Sequence, residues 1–353
     1  MITFEKFVES DKKALLEVIK SISDEVSAHD KTLANQNNWD WRYEELPTGQ
    51  SHIYLAKENN SIIGYYHIPT YEVLVENKTM TIGNIQSVAV SKTHRKKNVF
   101  QNLAKFANSD INQHVDLIYT FPNHRSIHTF IKYNDFHTVT VLPLHLRPIS
   151  VRAFLTKKIN SKFLGSICGG LLEIYSRLKQ KRLDQFDHIE EVDVFDTKTE
   201  TLFLKFGSRH EIRLLRNKPY LEWRFNNPLK GKYKIVGLRS NSELLAIAVV
   251  KMEYIFSERC LVVMDLAYDQ LDSAKKLLSN LDSLYVDEKI AFIVSSRISI
   301  DKKIEKHVGF VRVPSRFNPR KLYLLSRWAN ENESSNFLKA AKWHVTFSDW
   351  DVF

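Results

Sequence analysis

Apolar and polar residues follow one another in an order that predicts alternating strands and helices. Ile2–Phe7 alternates as a short strand, and Ser10–Ile22 places Leu15, Leu16, Val18, Ile19 and Ile22 at helical spacing. A second helical stretch runs into Trp41-Arg42-Tyr43 and stops at Pro47 and Gly49. His52–Ile68 reads as two strands joined by the polar turn Glu58-Asn59-Asn60-Ser61, a hairpin pattern. Further strands are expected around Tyr71–Glu76 and over Thr79–Val90. A helix over Asn98–Val115, a short buried strand at Leu117–Thr120, a helix over Asn123–Tyr133 and a last strand over Phe136–Leu146 complete this part.

The pattern then recurs. Displaced by 182 residues, Trp41–Ile68 lies over Trp223–Val250 without a gap. Trp41/Trp223, Arg42/Arg224, Gly49/Gly231, Ile53/Ile235 and Asn59/Asn241 are identical, and the apolar positions of the second strand coincide. Val88-Ala89 has a counterpart in Leu266-Ala267, and Phe136 in Phe310. An internal duplication accounts for the match.

Between the two strand-rich parts lies a segment of different character. Residues 151–182 hold eight Lys/Arg and a single acid, Glu173, whereas residues 1–150 carry 16 basic against 16 acidic residues and 183–353 carry 27 against 24. The net charge of +10 is therefore concentrated rather than spread, which points away from a nucleic-acid-binding face. The segment's apolar residues mix with Lys157, Lys158, Lys162, Arg177, Lys179, Lys181 and Arg182, and Gly165, Gly169 and Gly170 predict two short helices. Two accounts fit: a basic amphipathic pair lying on an anionic membrane surface, or a connector packed across both domains with its lysines in water. Cys168 and Cys260 stand far apart, so neither a disulfide framework nor a cysteine metal site is expected, which fits a reducing cytosol. No apolar run reaches ~18 residues, so the expectation is a cytoplasmic chain, at most peripheral to a membrane.

One stretch carries chemistry. Val88-Ala89-Val90 ends a buried strand, a polar basic turn follows, and Val99, Leu103, Phe106 and Ala107 start a helix. The first N–H groups of a helix lack intrahelical partners and its dipole favours negative charge there, so a strand, a cationic turn and a helix start suit a pyrophosphate. Arg95, Lys96 and Lys97 add positive charge. A solvated basic turn is the plainer alternative.

The same stretch resembles the acetyl-CoA-binding loop of the GCN5-related N-acetyltransferase (GNAT) family, in which Arg or Gln is followed by two variable residues, Gly, one residue, and Gly or Ala. Arg95, Lys96, Lys97, Asn98, Val99 and Phe100 fill these positions. Asn98 replaces a Gly, tolerable because Asn visits positive φ readily, and Phe100 replaces a small residue and would narrow the approach to phosphates. The element order also matches that family. The resemblance implies an α/β (α+β) protein of two tandem GNAT-like folds, each a mixed, mostly antiparallel sheet flanked by helices. It places an N-terminal domain at 1–150, a basic helical connector at 151–182 and a degenerate domain at 183–353. In the second copy Tyr268–Leu278 lacks the basic cluster and brings Asp269 and Asp272, which would repel a pyrophosphate.

The resemblance further implies acetyl-CoA as acyl-donor substrate, no metal, and an amine acceptor of small-molecule or glycan kind, for instance an amino sugar of a surface polysaccharide. Aminoacyl-tRNA-dependent peptidyl transfer and non-catalytic acyl-CoA binding are the rival readings. Asn123 corresponds to the residue ending the family's fifth strand. Phe130 stands where a Tyr often protonates the leaving thiolate, so Tyr133 is the nearby candidate acid, or else a packed aromatic at the helix end. The fourth strand offers Asn84 and Gln86 where the family often has a Glu base. Asp265 in the second copy is a candidate base or a salt-bridged structural acid; His67, His94, His124 and His128 are further candidates. Asp349 and Asp351, in a Trp-rich ending similar to that of two-domain relatives, are candidate sugar contacts or residues of an exposed tail.

Overall fold

The computed structural model describes residues 1–23, 39–95, 97–124, 126–226, 233–318, 321–330 and 335–350. The chain forms two compact units, Met1–Val141 with Arg320–Ala340, and Leu142–Pro319 with Ala341–Asp351.

In the first unit, β1 (Ile2–Lys6) leads through α1 (Lys12–Ser23) and a π-helical turn, Asp40–Glu44, to the hairpin of β2 (Ser51–Glu58) and β3 (Ser61–Val75). The start of the expected second helical stretch lies outside the described residues. Two expected strands, the second arm of the hairpin and Tyr71–Glu76, form one: β3 runs unbroken through Pro69. It can do so because it changes partner there, from β2 to β4 (Lys78–Ile85). After β5 (Val88–Val90) come α2 (Val99–Ile111), β6 (Leu117–Thr120), α3 (Ile127–Tyr133) and β7 (His137–Val141). The sheet order is β1-β2-β3-β4-β6-β16-β7, where β16 (Tyr323–Trp328) is supplied from late in the chain. One core lies under α2, with Leu103, Ala104, Ala107, Ile111, Tyr66, Phe130 and Phe136 buried. On the other side of the sheet, Leu15 and Ile19 of α1 pack with Trp39, Leu55 and Tyr65.

The expected last strand, Phe136–Leu146, is two strands. Pro143 interrupts it, and β8 (His145–Pro148) belongs to the second unit. There the chain continues through α4 (Arg152–Lys158), α5 (Lys162–Leu178), β9 (Asp187–Val192), α6 (Thr197–Gly207), β10 (Ile212–Leu214) and α7 (Lys218–Phe225). It goes on through β11 (Tyr233–Ser240), β12 (Glu243–Ile255), β13 (Glu258–Tyr268), α8 (Leu271–Asn280), β14 (Phe292–Ser295), α9 (Ile304–His307) and β15 (Val311–Arg312). A short strand, β17 (Trp343–His344), pairs with β10. The sheet order is β9-β11-β12-β13-β14-β8-β15, the same sequence of roles as in the first unit. In each, one strand from a distant part of the chain lies between two local ones: β16 between β6 and β7, β8 between β14 and β15.

The two hairpins agree feature by feature. The first hairpin has a bulge between Ala56 and Lys57 and positive φ at Asn59 and Asn60; the second has them at Leu238/Arg239 and at Asn241 and Ser242, each 182 residues on. Gly231 and Lys96 lie outside the described residues. The two folds are mixed sheets flanked by helices, as expected. Gly165, Gly169 and Gly170 do not interrupt a helix, contrary to expectation: α5 is continuous through them, and the break falls at residues 159–161, between α4 and α5. The glycines serve close packing, since a Cβ on Gly165 or Gly169 would come 2.7 Å from the Cα of Thr156 or Arg152.

Candidate functional site

In the first unit the central strands part. Parallel pairing of β4 with β6 ends at the pair Ile85/Thr120, where the buried Thr120 hydroxyl donates to the Ile85 carbonyl at 2.9 Å. Past that point the chain shifts register through Gln86 and Ser87 and continues as β5, whose strand partner is β3. Ser91 N–H donates to the Ile63 carbonyl (2.8 Å) and His67 N–H to the Ser87 carbonyl (3.1 Å). Successive backbone groups of a strand point to opposite sides, so residues 87, 89 and 91 face β3. The N–H groups of Val88 and Val90 therefore point the other way, toward the gap left by β6, with Ala89 between them.

A turn joins β5 to α2. It is short, cationic and exposed at Arg95 and Lys97. Arg95 Nε donates to the Val90 carbonyl at 3.2 Å, which ties the turn to the end of β5. Asn98 takes φ 58°, ψ 14°, the left-handed conformation that a Gly would occupy at no cost, and its carbonyl accepts from Asn102 N–H at 3.0 Å. The Asn98 side chain does not cap this helix start, and the first N–H groups, those of Val99, Phe100 and Gln101, have no intrahelical partner. Val99 is buried and anchors the first turn. Phe100 does not narrow the approach: its ring packs with the core, 6.2 Å from Tyr66 and 6.0 Å edge-on to Phe130. Beside the turn, His94 Nε2 lies 3.0 Å from the Glu58 carboxylate, which it holds below the usual carboxylate range.

Asn123, exposed just past β6, accepts from Ser126 N–H through Oδ1 at 3.1 Å and so shapes the turn into α3. Tyr133 is the last residue of α3, at the far end from that turn. It is 48% exposed with Lys132 Nζ 5.1 Å from its ring centroid, so it is not the packed helix end that was one expectation. Phe130 takes the packed role.

Near the register shift lies a largely buried polar group of side chains; Arg42, Gln86 and His67 were named from the sequence, but not that they meet Tyr43, Tyr71 and Ser87. Arg42 reaches Gln86 Oε1 (3.4 Å), Gln86 Nε2 reaches Tyr71 Oη (3.3 Å), and Tyr43 Oη reaches Ser87 Oγ (3.2 Å). His67 sits among the rings of Trp39, Tyr43 and Tyr65, fully buried, with neither ring nitrogen hydrogen-bonded. Burial, with Arg42 adding to it, pushes its pKa down to about 3. A neutral imidazole this reluctant to accept a proton is a poor general base at neutral pH. His124 and His128 are exposed on the α3 side.

The second unit parts its strands at the equivalent place: β13 leaves β14 after Val263/Ser295 and shifts register between Val249 and Val250. The eight-residue connection 91–98 is reduced there to Asp269 and Gln270. Asp269 pairs with Lys205 at 2.6 Å, and Lys205 and Arg209 hold its carboxyl below the usual range. An acid satisfied by its own chain stands where the first unit presents cations.

Asp265 is 1% exposed. One oxygen meets Arg216 Nε at 2.6 Å and accepts from Ser348 Oγ at 2.7 Å; the other accepts from Leu266 N–H at 2.9 Å. Of the two roles open to it, the salt-bridged one fits this geometry. Arg216 also meets Asp349 at 2.7 Å, and Asp349 is buried, not part of an exposed tail, because Trp343, Phe347 and Trp350 fold the segment inward. Asp351 lies outside the described residues. Of the repeated pair, Trp41 is buried and Trp223 half-buried, and Arg224 donates to the carbonyls of Ser348 (2.8 Å) and Trp350 (3.2 Å).

Residues 12–133 match the family model described as the acetyltransferase (GNAT) domain. That match covers about a third of the chain. No curated protein matches the chain. The fold is similar to that of a conserved protein of unknown function from Enterococcus faecalis V583, described as a probable N-acyltransferase. That likeness has a TM-score of 0.64 and 11% identity over 93% of this chain and 72% of the other. A GCN5-related N-acetyltransferase from Anabaena variabilis ATCC 29413 gives 0.64 and 8%, over 94% and 73%. Saccharomyces cerevisiae N-myristoyltransferase with bound myristoyl-CoA gives 0.59 and 12%, over 92% and 78%. At these identities the likeness is one of fold, and the matched residues 12–133 include the segment in which the strands part.

Proposed function

We propose that the first unit binds an acyl-CoA, with acetyl-CoA the simplest donor, and transfers the acyl group to an amine. The observation that carries this reading is the parting of β5 from β6 directly before a left-handed, cationic turn onto an uncapped helix. In this reading the diphosphate takes the N–H groups at the start of α2 with Arg95 and Lys97 beside them. The thioester lies in the gap, and the N–H groups of Val88 and Val90 polarise its carbonyl. The amine nitrogen attacks that carbon, the carbon–sulfur bond breaks, and CoA leaves as thiolate. The amine's proton goes to water, since β4 and β5 carry no carboxylate. Tyr133, on the exposed end of α3, stays the candidate proton donor to the thiolate. The acceptor is kept at the level of an amine. An amino sugar rests on family resemblance alone, and burial of Asp349 removes one of its supports.

Calorimetry with acetyl-CoA tests the donor, and Arg95→Glu with Lys97→Glu should weaken binding at least tenfold. CoA release over a panel of amines tests transfer; binding without release would leave a non-catalytic acyl-CoA module. RNA binding that falls steeply with salt would favour the tRNA-dependent reading.

A further inference from the structure

The helix α5 packs through small and polar residues on one side and is apolar on the other. Its inner side carries Gly165 and Gly169 against α4, and Glu173 accepts from Val151 N–H (2.9 Å) and Arg152 N–H (3.2 Å) and pairs with Arg152 Nε (3.0 Å). The opposite side exposes Phe163 (74%), Leu164, Ile167, Leu171, Ile174 and Leu178 (79%). At 3.6 residues per turn these six fall within an arc of roughly 100°, the width of a face that a helix normally buries. A continuous row of large apolar side chains in water marks a surface that something covers.

The charges around the row say what. Lys157, Lys158 and Lys162 are exposed at its start, and Arg177, Lys179, Lys181 and Arg182 at its end. The segment's one acid, Glu173, is buried and engaged on the inner side. Among the described residues only Lys157 of these cations has an acid beside it, Glu258 at 3.6 Å, so a second copy docking face to face would bring mostly like charges together. The helix is too short to span a bilayer, and no described helix is long and apolar enough to cross one. A helix with a large apolar face and cationic flanks lies in the plane of an anionic interface. We propose that α4 and α5 dock on an anionic bilayer, with the six apolar side chains entering the acyl boundary and the seven cations meeting lipid phosphates.

The test is sedimentation of the full chain with vesicles of phosphatidylcholine alone and of phosphatidylcholine mixed with phosphatidylglycerol. Binding to the mixed vesicles, at least tenfold weaker on phosphatidylcholine alone and weakened by salt, is expected. Phe163→Glu with Leu171→Glu should reduce it at least tenfold, and Lys157→Glu, Lys158→Glu and Lys162→Glu together should do the same. All these side chains are exposed, so far-ultraviolet melting curves should overlay the wild type; should one variant fail to fold, the other carries the test. Arg95→Glu with Lys97→Glu should leave vesicle binding intact, which separates this surface from the acyl-CoA reading. Absence of binding to mixed vesicles, or equal binding by the apolar-face variant, overturns the proposal. So does a solution dimer dispersed by Leu171→Glu, which would assign the face to a second copy.

Discussion

The Thr120 hydroxyl donates to the Ile85 carbonyl at 2.9 Å at the last paired position before β4 and β6 separate. This buried bond sets where the gap begins. Thr120→Val keeps the shape, leaves a buried carbonyl short of a donor and should cost about 1 kcal/mol in urea denaturation. Acyl-CoA affinity should fall with it, as measured by calorimetry, because the mouth of the gap loosens. Unchanged affinity would mean that the gap does not hold the thioester.

Asn98 is held at φ 58°. Asn98→Gly should therefore be tolerated in both stability and acyl-CoA binding. Asn98→Val should lose about 1–2 kcal/mol, since a β-branched residue is strained in that conformation, and should weaken binding by turning the first N–H groups of α2. Paired denaturation and calorimetry on the two variants check this.

Asp265→Ala leaves Arg216 with half of its buried anionic partners. Loss of about 3 kcal/mol is expected, the size seen when one member of a buried ion pair is removed. Turnover per folded molecule should hold. A collapse in turnover with stability retained would return Asp265 to the role of base.

Acid should destabilise the protein early. His67 and His210 are buried, and burial pushes their pKa down from 6.5 to about 3 and about 4; His344 is pushed down as well. The unfolded chain binds these protons and the folded chain does not. Stability is thus whole above about pH 6.5 and is lost as pH falls toward the folded-state values, at up to about 1.4 kcal/mol per pH unit for each histidine. His67→Leu should flatten the slope of unfolding free energy against pH by about one such step. An unaltered slope between pH 7 and about pH 5 would mean that His67 takes up a proton in the folded state.

The residue pattern held much of this in plain view. Asn59-Asn60 and Asn241-Ser242 announce the two hairpin turns, and the structure gives both pairs the positive φ that such turns require. The likeness of the two hairpins followed from Trp-Arg-aromatic and turn positions at one constant spacing. Asn98 was legible as a glycine substitute because the requirement is local, a single backbone angle. Phe100 was misjudged because a ring's direction depends on what it can pack against, here Tyr66 and Phe130.

By itself, then, the sequence determined most of the elements, the two matching hairpins, the cationic turn and the amphipathic, basic character of residues 151–182. These depend on neighbours within a few positions, where periodicity, turn chemistry and charge act directly. Tertiary structure alone decided that β16 completes the first sheet and β8 the second, and that Arg216 gathers Asp265 and Asp349 from residues 49 and 133 positions away. Tertiary structure also turned six apolar side chains of α5 outward. Such pairings depend on which surfaces bury most area and satisfy most polar groups once the chain has collapsed, a comparison among distant segments that no local pattern encodes.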